Sequence, residues 1–440
     1  MTAVEGQRPA VDDSGPAADP PLPPLRRNRD FNVLWSGQAL SDLGTQMSTI
    51  SYPLLILAVT GSAAKAGIVG SATITGILLW LLPAGLAADR WPRKRILQTT
   101  SIIQLVVGAS VVPAIVTHHV FLVHLAAVGF IQGSALAFYT GASRGALRRI
   151  VAKKQLPDAF ARSQARDRTA VMLGPPAGAA LYSIAPYLPF AADSISFAAI
   201  AIAVTLVRKS LDPEPVAEPD GAKKPPLRKQ VMVGLRYVFA DPYLRMVTIW
   251  ATVINGVIAG MRLTSIVLAE QTGAIATEVG LMFTISASIG LVGAVLARRM
   301  IALIGERRLV QVICWVFPAC AAVMAFAPWF WLIGIMAGLT GFFLMPINVV
   351  LLAKASVRTP DNLQAQTGNA MQLCWTSLSA LTPAIFGLIT DRIGPREMIG
   401  ISVAVYVVIA IWMLTRRSMN LLDRKAAAPA QAESTAGKDR

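Results

Sequence analysis

Twelve stretches of mostly apolar residues follow one another along the chain, with short polar turns between them. Six lie at about 33–58, 66–88, 96–117, 120–141, 167–186 and 189–207, and six more at about 244–268, 279–297, 309–326, 329–352, 366–389 and 398–415. A helix rises 1.5 Å per residue, so about 20 such residues cross the hydrocarbon of a bilayer. The pattern therefore predicts an all-α membrane protein of twelve transmembrane helices in two six-helix halves. Between the halves, 208–243 is polar and basic, and includes Lys223, Lys224, Pro225, Pro226, Arg228 and Lys229. Its end, Val231 to Ala240, is apolar on one face and is expected to lie along a membrane surface. Residues 1–29 carry Pro20, Pro21, Pro23 and Pro24 and no apolar core of a signal peptide, which predicts a disordered cytoplasmic tail. The expected organisation is this tail, a half over 30–207, a linker over 208–243, a half over 244–416 and a second tail over 417–440.

Composition agrees with a lipid-facing surface. Of 440 residues, 54% are hydrophobic and 15% charged, against about 25% charged in soluble domains. The net charge of +16 does not point to nucleic acid, because the cations sit in short turns between apolar runs. With the N-terminus inside, the inner turns and linker hold 26 Lys and Arg, and the outer turns only Lys65, Arg392 and Arg396. Eight of the inner cations are placed between the fourth and fifth runs, Arg162, Arg166 and Arg168 among them. This bias predicts both termini on the cytoplasmic side of a cell membrane. The turn from Asp391 to Arg396 is the one basic segment it leaves outside.

The turn after the second run reads Gly-Leu-Ala-Ala-Asp-Arg-Trp-Pro-Arg-Lys-Arg from Gly85 to Arg95. It resembles the loop between helices two and three of the major facilitator superfamily, Gly-x-x-x-Asp-Arg-x-Gly-Arg-Arg/Lys. Gly85, Asp89, Arg90, Arg93 and Lys94 match; Pro92 stands in place of the second glycine. The superfamily resemblance implies two parallel-repeat halves around a central cavity. The halves do echo each other: Leu156-Pro157-Asp158-Ala159 resembles Thr359-Pro360-Asp361-Asn362, and Gly293 to Arg308 loosely matches the motif turn, with Arg298 at the aspartate position. The resemblance also implies that the loop latches the halves on the cytoplasmic side when the cavity opens outward, with Asp89 near the start of helix eleven. In a plainer reading, Asp89 completes a tight turn and the cations only set topology.

Gly174-Pro175-Pro176-Ala177-Gly178-Ala179 in the fifth run resembles the Gly-Pro-x-x-Gly-Gly motif of antiporter-type members, with Ala179 at the final glycine and Ala170 at the upstream one. Pro175 removes a helix hydrogen bond and permits a bend, and Gly174 and Gly178 allow close helix approach. Arg29 to Gln38 and Gly234 to Arg245 resemble the branch of macrolide-efflux proteins and enterobactin-type siderophore exporters. Many proton-coupled exporters carry an arginine three residues before a Gln-Gly pair in helix four. Here Gln132-Gly133 is present but Gly129 occupies that position.

Polar residues inside apolar runs are costly in lipid and mark cavities or partners. Asp42 in the first run is the leading carboxylate, for coupling or cation recognition, with a structural pairing to a nearby cation as its alternative. Arg262 in the seventh run either snorkels outward or meets substrate. Gln46, Gln132, Asn255, Asn369 and Gln372 serve as interhelical hydrogen-bond partners or as cavity contacts. No nucleotide-binding loop, metal motif or cofactor motif is visible, so neither an ATP-driven pump nor an enzyme is expected. The expected partners are a small-molecule substrate, protons and the bilayer, with no nucleic acid, and the chain is expected to be a monomer. The reading is a secondary transporter, a proton-linked exporter of amphiphilic small molecules. A nutrient importer and a non-transporting receptor or scaffold are the alternatives.

Overall fold

The computed structural model describes residues 24–212 and 227–423. The proline-rich start of the N-terminal tail, the middle of the linker with Lys223 and Lys224, and the chain end after 423 lie outside the described residues. All regular structure among the described residues is helical. The N-terminal half consists of α1 (Arg29–Thr60), α2 (Ala63–Arg90), α3 (Arg93–Val116, interrupted at Ser110), α4 (Leu122–Ile150), α5 (Leu156–Ile184) and α6 (Leu188–Leu206). The C-terminal half consists of α7 (Pro242–Gln271), α8 (Ala276–Ile304), α9 (Glu306–Ala325), α10 (Phe330–Arg358), α11 (Gln364–Ile393) and α12 (Pro395–Leu414). Eleven of the twelve are long and apolar enough to cross a membrane.

The exception is α5. It begins at Leu156, well before the apolar run that announces it, so Arg162, Arg166 and Arg168 are helical residues and not part of a turn. A second departure is at the chain end. The tail expected from residue 417 opens as a helix, Arg416–Asp423, with Met419 and Leu422 buried. Its last carbonyls are capped by α10: Lys354 Nζ donates to the Leu422 carbonyl at 2.8 Å and Arg358 to the Leu421 carbonyl at 3.1 Å. Cations at a helix C-terminus complement its partial negative charge. The linker helix, Leu227–Ala240, is tied to the same half. Its Gly234 lies against the Gln366 carbonyl and Ala370 of α11, and Tyr237 donates to the Arg358 carbonyl at 2.9 Å.

Within the first half, small residues let helices touch backbone to backbone. A Cβ on Gly37 would meet Ala203 of α6, and one on Gly44 would meet Ser196. Gly76 and Gly133 do the same between α2 and α4. With little hydrophobic drive between helices in lipid, such close packing and interhelical hydrogen bonds hold a bundle together. The two halves meet mainly along α2 with α11 and α5 with α8.

Candidate functional site

Because the helices alternate in direction, the bundle has two faces: a linker face, where the described chain ends and the linker lie, and a far face. A cavity of about 370 Å³ lies between the halves. The first half contributes Thr45, Gln46, Ser48 and Tyr52 of α1, Gln104 of α3, Gln132 of α4 and Asp193 of α6. The second half contributes Arg262 of α7, Phe283 of α8 and Pro383 of α11.

Asp193 is the carboxylate of this wall. The close α1–α6 contact at Gly44 brings it under α1, where Ser48 Oγ donates to it at 2.6 Å and Thr45 Oγ1 at 3.5 Å. It is 3% exposed, and no cation pairs with it among the described residues. Beside it, Tyr52 donates to the Gln132 side chain at 3.3 Å while its ring packs edge-on to Phe190. Arg262 faces the cavity from the other half. Its guanidinium stands 5.2 Å from the Phe283 ring centre.

Of the residues proposed from sequence for the cavity, Gln46, Gln132 and Arg262 line it; Asp42, Asn255, Asn369 and Gln372 do not. Asp42 is bound instead by Arg166 Nε at 2.7 Å. The same guanidinium bonds Gln38 and Asp167, and Gln38 donates to Ser143 at 2.6 Å. The cluster ties α1, α4 and α5 within one half, which is the structural alternative for Asp42. Asn255 donates to its own helix at the Ala251 carbonyl, and Gln372 to Thr376 one turn on. Asn369 is exposed. Asp193 escapes sequence reasoning because it stands near the start of its apolar run, where a carboxylate reads as interfacial. It is nevertheless the only acidic residue of that run, and a scan for isolated carboxylates would find it.

Gly174 and Gly178 lie where α5 crosses α1: a Cβ on the first would strike Gln46, and on the second the backbone of Met47. Pro175 faces α8, where Gly280 packs against its carbonyl. In the motif turn, the cations cap helix ends. Arg93 donates to the carbonyls of Ala88 and Gly145, and Lys94 to those of Thr205 and Val207. Asp89 is exposed and, among the described residues, reaches only Arg93, at 3.9 Å. It makes no contact with α11 in this arrangement.

The halves touch at the far face. Asp391, at the end of α11, caps the start of α2 across the divide, accepting from Ser62 Oγ at 2.6 Å and from the amides of Ala63 at 2.7 Å and Ala64 at 2.9 Å. Gly67 lies on the backbone of Pro383 and Gly387 on that of Ala63. Toward the linker face, Cβ atoms on Gly85 and Gly368 would meet nothing within 4 Å. The cavity is thus sealed at the far face, and the ends of α2 and α11 stand apart at the linker face.

A family model described as Major Facilitator Superfamily matches residues 34–383. The chain belongs to this superfamily. It is a multi-pass membrane transporter and not an enzyme. A comparison with curated proteins gives no match. Among solved structures it is similar to a bacterial homologue of the human lysosomal transporter Spinster in an inward-facing, unoccupied conformation (13% identity, 93% of this chain and all of that one, TM-score 0.71). It is similar also to the nucleoside transporter NupG (12%, 90% and 100%, 0.69) and to a bacterial homologue of the iron transporter ferroportin in an inward-facing state (15%, 90% and 99%, 0.65). These likenesses are of fold. In a superfamily transporter, a cavity between the halves that is sealed at one face is one end state of alternating access.

Proposed function

We propose that this transporter exports amphiphilic small molecules across the cytoplasmic membrane, linked to protons. The observation that carries the reading is the cavity itself: a larger apolar than polar surface and one carboxylate, below helix ends that are packed at the far face and stand open at Gly85 and Gly368 at the linker face. The distribution of Lys and Arg puts the linker face in the cytoplasm, so this arrangement loads from inside. The likeness of Arg29 to Gln38 and Gly234 to Arg245 to efflux proteins supports export. The proton is assigned to Asp193, whose hydroxyl partners serve either protonation state and which sits in the cavity wall. Asp42, held by Arg166, is a scaffold residue in this reading. The motif loop from Gly85 to Lys94 is proposed to latch the linker face in the outward-open state, with Asp89 at the start of α11.

The test is uptake into inside-out proteoliposomes of three dansyl probes of matched chain length: an anionic undecanoic acid, its neutral amide and an ammonium analogue. An acidic lumen is expected to speed uptake, and Asp193→Asn to remove that acceleration while Asp42→Asn keeps it. Absence of uptake of every probe under either direction of pH gradient would overturn the export reading.

A further inference from the structure

A second cavity of about 250 Å³ lies inside the C-terminal half and shares Arg262 and Phe283 with the central one. It is walled by α7, α8, α9, α10 and α12, with Val171 and Pro175 of α5 also in its lining. Its apolar surface includes Met261, Met324 and Met336, each on a different helix. Methionine side chains are flexible and polarizable, and they adapt to ligands of varied shape. At the junction stands Arg262, the only cation lining either cavity among the described residues. No carboxylate lines the side cavity, and Arg262 has no ion-pair partner among the described residues; its contact is the Phe283 ring. It is exposed, and it lines both of these spaces. Its neighbour Ser265 donates to the Arg262 carbonyl and leaves the guanidinium free.

A permanent cation at membrane depth without a counter-charge is costly, and such residues occur where a cavity or a partner compensates them. Guanidinium groups bind carboxylate and phosphate oxygens through paired, charge-assisted hydrogen bonds. The carboxylate across the central cavity, Asp193, is already held by Ser48 and Thr45. Counter-charge and apolar space thus adjoin at one point.

We infer that the side cavity is a subsite for an anionic amphiphile, whose acidic group sits on Arg262 at the junction and whose apolar body lies among Met261, Met324, Met336 and Phe283. This names the substrate class for the transporter proposed above and rests on that reading. The cavity it occupies has walls from both halves, since Val171 and Pro175 belong to α5.

The test measures binding of the same three dansyl probes to the purified full-length protein in nanodiscs. The acid is expected to bind about tenfold more tightly than its neutral amide, as a charge-assisted contact implies, and the ammonium analogue most weakly. Arg262→Gln should abolish the preference for acid over amide while amide binding persists, which also reports that the variant is folded. Arg262→Lys should keep part of the preference. Met336→Gln should weaken acid and amide alike. Equal binding of acid and amide to the wild type, tighter binding of the ammonium, or an unchanged preference in Arg262→Gln would each overturn the inference. The wild-type comparison decides even where Arg262→Gln fails to fold. A binding preference without uptake in proteoliposomes would instead count against the transport reading alone.

Discussion

The two faces of the bundle carry nearly the same short sequence and do opposite things. Gly85-x-x-x-Asp89-Arg90 ends α2 at the linker face, and Gly387-x-x-x-Asp391-Arg392 ends α11 at the far face. At the far face the glycine lies on the backbone of Ala63 and the aspartate caps the other half. At the linker face the glycine meets open space and the aspartate turns back to Arg93. Each motif is a helix-end carboxylate with a glycine one turn before it. That unit can cap a helix start in the other half, because exposed amides there carry partial positive charge. Only the far-face cap is formed in this arrangement; with the latch as proposed, rocking of the halves would exchange it for the other.

The comparison breaks most strongly at a glycine. Gly387→Val places a side chain against the Ala63 backbone, where overpacking costs about 1–3 kcal/mol. That is a shift of about five- to 140-fold away from the sealed far face. Distances between spin labels on the far ends of α2 and α11 should lengthen, and an unchanged distribution would show that the seal does not depend on this approach. Gly368→Val is its mirror. It is accommodated in the arrangement seen here but obstructs closure at the linker face, so transport should fall while the far-face distances stay as in the wild type. Normal transport by Gly368→Val would mean that α2 and α11 do not meet there.

Removing a cap is a smaller change. Asp391→Ala loses three hydrogen bonds to the start of α2, and helix N-caps are worth about 0.5–2 kcal/mol. The far face should open more often, seen as faster labelling of a cysteine placed at Ser71 by a membrane-impermeant reagent. The smallest effect is expected at Asp89→Asn. A carboxylate near a helix start contributes about 0.3–1 kcal/mol. With the latch as proposed, the population moves toward the arrangement seen here, opposite to Asp391→Ala. Identical linker-face distance distributions in wild type and Asp89→Asn would leave Asp89 as a turn residue only.

The positions of the helices were legible because a membrane imposes a length and a composition on each crossing. All twelve fall on the apolar runs, and eleven of them are apolar enough over their length to cross a membrane. The twelfth, α5, was readable only over its apolar second half. Its first half hides Arg166, whose charge is compensated by Asp42 from a helix more than a hundred residues away in the chain. Position within the apolar run explains why Asp42 drew attention from sequence and Asp193 did not. A lone carboxylate deep in an apolar run stands out, whereas one near a run's edge reads as interfacial. Gln46, Gln132 and Arg262 were recognised as polar residues at membrane depth, but nothing local distinguishes them from Asn255, whose amide bonds its own helix.

By itself, then, the sequence determined the number of crossings, the division into two halves, the charge asymmetry between the faces and the superfamily, because each is a property of short segments read against lipid and water. Tertiary structure alone decided which polar groups share a cavity, that Arg262 stands between two of them, and which face is sealed. These depend on how helices distant in sequence are rotated and packed. Two copies of one motif at opposite faces cannot reveal, from residues alone, which of them is engaged.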